Sequence, residues 1–250
     1  MDTARVEAIV LRTDNFGDAD RVVTLFTREL GKVEANAYGC RRVRNSLSGA
    51  LIMFNHVEAQ LSLGGKVAVI REAEIINFYD ALTRDLERLG YAAFLFEVVN
   101  RLTLPQERDV RTFELLRRAL PALNVRNPKI AALMGACQFM ETSGVQLSYN
   151  RCVKCGAPIA GDSFFSLAEG GAVCAACKEN AREWRGYPEG LRRTFERLLK
   201  FDWRPDRKLM LNGRQIEEAW RLMIEYIERE TGSGLKSVKF LHELKGLIQC

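Results

Sequence analysis

Two periods of apolar residues divide the chain. Up to about residue 77 the period is two. Val33, Ala35 and Ala37 alternate with Lys32, Glu34 and Asn36, and Val57, Ala59, Leu61 and Leu63 alternate with His56, Glu58, Gln60 and Ser62. That is the pattern of strands with one buried face. Val6–Thr13, Arg21–Arg28 and Val67–Ile76 are rich in β-branched and large apolar side chains, which suit a pleated surface. Turns are predicted at Asn15–Asp18, Glu29–Lys32 and Gly64–Gly65. The last is expected to be a two-residue hairpin with positive φ at both glycines and Leu63 facing Lys66. Five strands in so short a stretch predict a small closed or nearly closed barrel, OB-like or SH3-like, with no exposed edge. The long connection Gly39–Asn55, with room for one helical turn at Ser46–Phe54, favours the OB arrangement.

From about residue 80 the period becomes 3.6. Leu86, Leu89, Ala93, Phe96 and Leu102 share a face, while Phe94, Leu95, Val98 and Val99 occupy others, so this helix is expected to be buried on most sides. A second helix is predicted over Arg108–Leu123, with Pro121 near its end. Asn127-Pro128 is a start signal for a third, which runs to a stop at Gly144. Pro188–Leu199 and Gln215–Glu230 read as amphipathic helices, and Leu235–Cys250 as a weakly helical basic tail. The expected fold class is α+β: an N-terminal five-stranded OB-like barrel, then an α-helical bundle with an inserted four-cysteine segment. The expected domains are 1–79 (barrel), 80–148 with 179–250 (helices), and 149–178 (cysteine segment).

That segment holds the strongest chemical signal. Cys152-Val-Lys-Cys155 and Cys174-Ala-Ala-Cys177 are separated by eighteen residues. Two Cys-x-x-Cys knuckles at this spacing match a four-thiolate zinc site. Four cysteines leave no position for water, which points to one structural Zn²⁺ rather than a catalytic ion. Lys154 and Lys178 are expected to offset the excess thiolate charge. Two disulfides or four reduced buried cysteines are the competing readings. The N-terminus lacks a basic region followed by an apolar run, and no stretch approaches a membrane span. A cytoplasmic protein is therefore expected, where disulfides are rare. Cys40, Cys137 and Cys250 read as free thiols.

Composition adds less. The 250 residues include 37 Lys and Arg against 32 Asp and Glu, a net charge of +5. So mild an excess does not mark a nucleic-acid binder, and any binding surface must come from local clustering. Arg41, Arg42 and Arg44 form such a cluster after the third strand, with Tyr38 beside them and Arg21, Arg28 and Lys32 on or near neighbouring strands. Guanidinium groups there suit phosphates and bases, and Tyr38 offers a ring. A solvated arginine run is the plainer alternative. Arg192 and Arg193 open a second basic set with Phe201 and Trp203 interleaved, diluted by Glu196 and Asp202. Enzyme signatures are missing: there is no Walker loop, no Gly-x-Gly-x-x-Gly and no Gly-x-Ser-x-Gly. The two histidines, His56 and His242, are far apart, and His56 is expected to be structural or solvent-facing. Asp18 and Asp20 are expected to make turn hydrogen bonds.

The run Glu7–Arg12, Phe16-Gly-Asp18, Asp20–Thr27 and Leu30-Gly-Lys32 resembles the N-terminal barrel of the RecO family of bacterial recombination mediators. The likeness continues through Gly39–Arg44, Ser46, Leu51 and Ala73–Asn77, and the order of helices, four cysteines and helices also fits. The resemblance implies an OB-fold, a helical bundle and a zinc-binding segment. It implies binding of single- and double-stranded DNA, annealing, and help in loading RecA onto strands coated by SSB, in the bacterial cytoplasm at the nucleoid. The implied partners are RecR and the acidic, hydrophobic C-terminal tail of SSB, with no membrane. A non-enzymatic DNA-binding mediator is thus the leading expectation. The alternative is a zinc-stabilised protein–protein adaptor whose barrel does not contact nucleic acid.

Overall fold

The computed structural model describes residues 2–42, 45–145, 147–161, 163–204 and 209–248. It divides into two compact units, Met1–Pro128 and Lys129–Cys250.

The first unit opens with a barrel of five strands: β1 (Thr3–Phe16), β2 (Asp20–Thr27), β3 (Gly31–Ala37), β4 (His56–Ser62) and β5 (Ala68–Asn77). Their order around the closed barrel is β1-β2-β3-β5-β4. β1 forms two walls: its first half pairs with β4 and its second with β2, and the register slips between Val10 and Arg12. Such a bulge bends a strand and lets one long strand serve both sides. β3 and β5 close the barrel through a short parallel seam, Ala35 with Ala68 and Asn36 with Val69. Below that seam the edge of β3 takes a different partner. Gln106 N–H donates to the Lys32 carbonyl at 2.8 Å, and Lys32 bridges to Pro105.

The alternation read from the sequence sets the faces. Val33, Ala35 and Ala37, with Val57, Ala59 and Leu61, point into the core with Val6, Ala8, Val23 and Leu25. A short helical turn, α1 (Leu47–Ala50), closes one end with Leu47, Ala50 and Leu51. It lies inside the connection that favoured the OB arrangement. His56 is buried, its Nε2 2.8 Å from Glu7 Oε1 and its Nδ1 3.2 Å from Asn77 Nδ2, so its role is structural. The Gly64–Gly65 hairpin is not formed. β4 ends at Ser62, β5 starts at Ala68, and neither glycine has a positive φ. The β4–β5 ladder carries two register shifts, and a five-residue connection replaces the two-residue turn.

Three helices complete this unit: α2 (Asp80–Arg84), α3 (Leu86–Leu102) and α4 (Val110–Val125). Asp85 caps α3 by accepting from the N–H groups of Glu87 and Arg88. Tyr91, Phe94, Leu95, Phe96, Val98 and Val99 are all buried, as expected of a helix apolar on most sides. Phe96 meets Phe54 of the barrel edge to face at 4.9 Å. Pro121 lies inside α4, which runs on to Val125.

The second unit contains α5 (Pro128–Thr142), a three-stranded sheet of β6 (Ser163–Ser166), β7 (Gly171–Cys174) and β8 (Trp184–Gly186), and α6 (Glu189–Lys200), α7 (Gly213–Thr231) and α8 (Lys236–Ile248). The sheet order is β7-β6-β8. The tail read as weakly helical is therefore a formed helix, with Val238 and Leu241 buried. Cys250 lies outside the described residues.

One device recurs in both units. The last carbonyls of a helix have no partner within it. Those of α4 accept from Arg88, which reaches Leu123 O and Arg126 O at 2.9 and 2.7 Å. Those of α6 accept from Gln138, whose amide donates to Leu198 O and Phe201 O at 3.0 and 2.9 Å. The same Gln138 accepts from the Trp203 indole N–H at 2.7 Å, so Trp203 is an anchor of this junction. Among the described residues no helix is long and apolar enough to cross a membrane.

Candidate functional site

The four cysteines come together. Cys152 and Cys155 occupy a knuckle before β6. In it Cys152 N–H donates to Ala157 O, and Gly156 N–H to Cys152 O, each at 2.8 Å. Gly156 adopts φ +72°, a conformation that a side chain would strain. Val153 N–H donates to Ala172 O at 2.9 Å and ties this knuckle to β7. Cys174 ends β7, and Cys177 follows in a 3₁₀ turn over Ala175–Asn180. The turn of the β6–β7 hairpin uses Gly170 at φ +72°.

All four sulfur atoms lie within 4.8 Å of one another, and Cys155 Sγ and Cys174 Sγ are 3.8 Å apart. A tetrahedron of thiolates with Zn–S bonds of about 2.3 Å has edges of about 3.8 Å, so the donor set fits zinc in kind and in spacing. The arrangement is a single cluster, not two separate pairs, and the six described cysteines are free thiols. Burial pushes the Cys152 thiol up, but N–H groups of Cys174, Cys155 and Lys154 outweigh it and bring the group down to about 6. Cys177 moves the other way, to about 12, through its hydrogen bonds with Cys174 and Cys155. Hydrogen bonds thus favour the thiolate at one position and the thiol at another; a divalent cation would favour the thiolate at all four. Lys154, expected to offset the thiolate charge, pairs its Nζ with Glu169 at 2.8 Å. Lys178 places its Nζ over the rings of Phe164 and Trp184.

The predicted basic rim separates into two groups. Arg41 and Arg42 are exposed, and neither has a carboxylate partner among the described residues. Arg41 donates to Gly17 O at 3.3 Å, and its own N–H donates to Ala19 O at 2.9 Å, so the loop after β3 is seated on the β1–β2 turn. Asp20 strengthens that seat by accepting from Gly39 N–H at 2.7 Å, a link across loops rather than within its own turn. Tyr38 is 53% exposed and accepts from Asn36 Nδ2. Phe16, which the sequence reading did not single out, is 57% exposed at the end of β1, next to the glycine that Arg41 reaches. An aromatic residue inside an Asn-Phe-Gly-Asp turn was the available signal. Arg44 lies outside the described residues.

The other predicted contacts are engaged elsewhere. Lys32 turns to the end of α3 and donates to Asn100 O and Thr103 O at 2.6 and 2.5 Å. Arg21 is partly buried and reaches Ser48 O at 3.4 Å and Cys40 Sγ at 3.9 Å. Arg192 pairs with Glu196 at 3.0 Å with little of its side chain exposed. Arg193 pairs with Glu189 at 2.6 Å but is well exposed. An exposed pair of that kind holds by only about 0.2–1 kcal/mol, so Arg193 remains open to exchange its partner, while Arg192 is the more committed.

Comparison with known proteins finds relatives along nearly the whole chain. A family profile described as "Recombination protein O N terminal" matches residues 1–79, and one described as "Recombination protein O C terminal" matches residues 83–239. The "DNA repair protein RecO" of Symbiobacterium thermophilum is 34% identical over 245 residues, covering 96% of this chain and 97% of its own. That of Anaeromyxobacter dehalogenans is 31% identical over 255 residues, covering 99% of each. That of Moorella thermoacetica is 26% identical over 245 residues, covering 97% and 91%.

Proposed function

The chain belongs to the recombination protein O family of DNA repair proteins, and from that premise we propose that it is a non-enzymatic mediator that binds and anneals single-stranded DNA. It then assists the loading of RecA onto strands coated by SSB, in the bacterial cytoplasm at the nucleoid. The observation that carries this reading is the barrel loop: exposed Arg41 and Arg42, without a carboxylate partner among the described residues, with the exposed ring of Tyr38 close in the chain and that of Phe16 next to the glycine that Arg41 reaches. Cations that hold phosphates without reading bases, next to rings on which any base stacks, give sequence-tolerant binding of single strands. Annealing needs that tolerance. Lys32 and Arg21 brace the barrel through main-chain carbonyls of Asn100, Thr103 and Ser48, and Arg193 adds a cation on the second unit.

Cys152, Cys155, Cys174 and Cys177 hold one zinc ion, which supplies a structural cross-link with no open coordination position. The remaining proposed partners are double-stranded DNA, RecR and the acidic, hydrophobic tail of SSB.

The test is annealing of complementary oligonucleotides, bare and coated with SSB, by the parent and by the Arg41→Ala/Arg42→Ala variant. The variant is expected to anneal at least tenfold more slowly. Parental rates in a folded variant would remove the barrel loop from the activity and leave the adaptor reading.

A further inference from the structure

The three-stranded sheet beside the cysteines has two unlike faces. Phe165 belongs to the inner one: it is fully buried and packs on Tyr187 at 5.1 Å. Phe164 and Trp184 belong to the outer one, since Trp184 pairs with Ser166, two residues along β6 from Phe164. Their rings meet edge to face at 4.9 Å, and Trp184 is still 39% exposed. Lys178 comes from the turn after the second knuckle, with its Nζ 4.0 Å from the Trp184 centroid and 4.7 Å from that of Phe164.

The charge around this face decides what it suits. Lys154 and Arg182 share Glu169, and Arg185 pairs with Glu225. Lys178 has no carboxylate partner among the described residues. An unneutralised ammonium on an exposed indole joins a phosphate-binding charge to a base-stacking ring within one side chain's reach. An uncharged apolar partner would use the rings and leave the cation unanswered.

We propose that the outer face formed by Phe164, Trp184 and Lys178 is a second contact site for single-stranded nucleic acid. A base stacks on Trp184 while Lys178 moves to the adjoining phosphate. The site rests on the reading of the chain as a strand-annealing protein and deepens it. Annealing requires two strands to be held, and this face belongs to the second unit whereas the arginine loop belongs to the first.

The experiment titrates the full-length, zinc-loaded protein with oligothymidylate across a salt series, reading affinity and tryptophan emission. It compares Trp184→Ala, Trp184→Phe, Lys178→Gln and Arg41→Ala/Arg42→Ala, with zinc content and melting measured for each. Trp184→Ala is expected to weaken binding about tenfold, and Trp184→Phe to restore most of it. Lys178→Gln should lower the salt slope by about 0.7. Oligothymidylate should quench the parent's emission and not that of Trp184→Phe, because Trp220 is buried and Trp203 is held by Gln138. Parental affinity, slope and quenching in the zinc-loaded ribbon variants (those of Trp184 and Lys178, on the three-stranded sheet and its adjoining turn) would overturn the proposal. If Trp184→Ala loses its zinc, Trp184→Phe and Lys178→Gln decide. Loss of binding in the arginine variant alone would sink the ribbon site and keep the barrel site; parental binding in every variant would sink both.

Discussion

Lys32 Nζ lies 2.6 Å from the main-chain oxygen of Asn100, in the last turn of α3. A lysine on the outer face of a barrel strand thus acts as a cap for a helix C-terminus, where a positive charge also opposes the helix dipole. Burial holds its ammonium group below the ordinary lysine value, yet two carbonyls keep it in place.

Replacing Lys32 should therefore act on stability before it acts on binding. Lys32→Met leaves the Asn100 and Thr103 carbonyls without their charged donor, and a loss of about 1–2 kcal/mol is expected. Denaturant unfolding measures it. Affinity for oligothymidylate should stay within twofold of the parent; a large drop in affinity without a drop in stability would place Lys32 on the DNA.

The arginine loop should behave in the opposite way. Arg41→Ala/Arg42→Ala removes two exposed cations that bear no core contacts, so its melting temperature should match the parent's. The slope of log affinity against log salt for single strands should fall by about 1.4, at about 0.7 per phosphate contact. An unchanged slope would show that neither arginine meets a phosphate.

For the metal centre, Cys152→Ser/Cys155→Ser should lower zinc from one ion per chain to none and destabilise the second unit. The barrel loop lies in the first unit, so binding should persist at the level left by the ribbon variants. Metal analysis with thermal melting and a DNA titration checks both parts. Complete loss of binding by a folded, zinc-free protein would move the main DNA site onto the ribbon.

Stability at acid pH should depend on Glu114. The hydrogen-bonded guanidinium of Arg117 holds its carboxyl below the ordinary value, with Arg28 and Arg118 adding to the effect. The folded state then binds protons less readily than the unfolded one. The resulting stabilisation is complete above the ordinary carboxylate value of 4.5 and is lost as pH falls through the lowered value. Glu114→Gln should therefore be less stable than the parent at pH 7, by under about 1 kcal/mol for a partly exposed pair, and the gap should close in acid. A gap that persists in acid would assign the effect to packing.

The barrel was legible because a period of two reports directly which face of a strand is buried. Val33, Ala35 and Ala37 needed no further information. The cysteine cluster was legible for a similar reason, as Cys-x-x-Cys spacing fixes a local geometry. What the pattern does not report is the neighbour across space. Lys32 was correctly placed on the outer face of β3, but the end of α3 that lies against it is some seventy positions away in the chain. Lys154 sat beside a ligand in sequence and found Glu169 instead. β8, three residues long, was too short to show any period, and with it went the outer face that carries Trp184. Gly64 and Gly65 had the freedom for a tight hairpin, but freedom does not set ladder register.

The link between Gln106 and Lys32 sets the boundary of folding beyond that of the family profile. The family profile ends its N-terminal module at residue 79, yet β3 completes its edge with a segment some thirty residues beyond that point. Gly31, at φ +68°, lies so close to this segment that an added Cβ would stand 1.9 Å from Glu107 O. A truncation at residue 79 would preserve the span of the N-terminal family profile and expose a raw strand edge. A truncation at Pro128 would keep that edge covered and end at the boundary of the first compact unit.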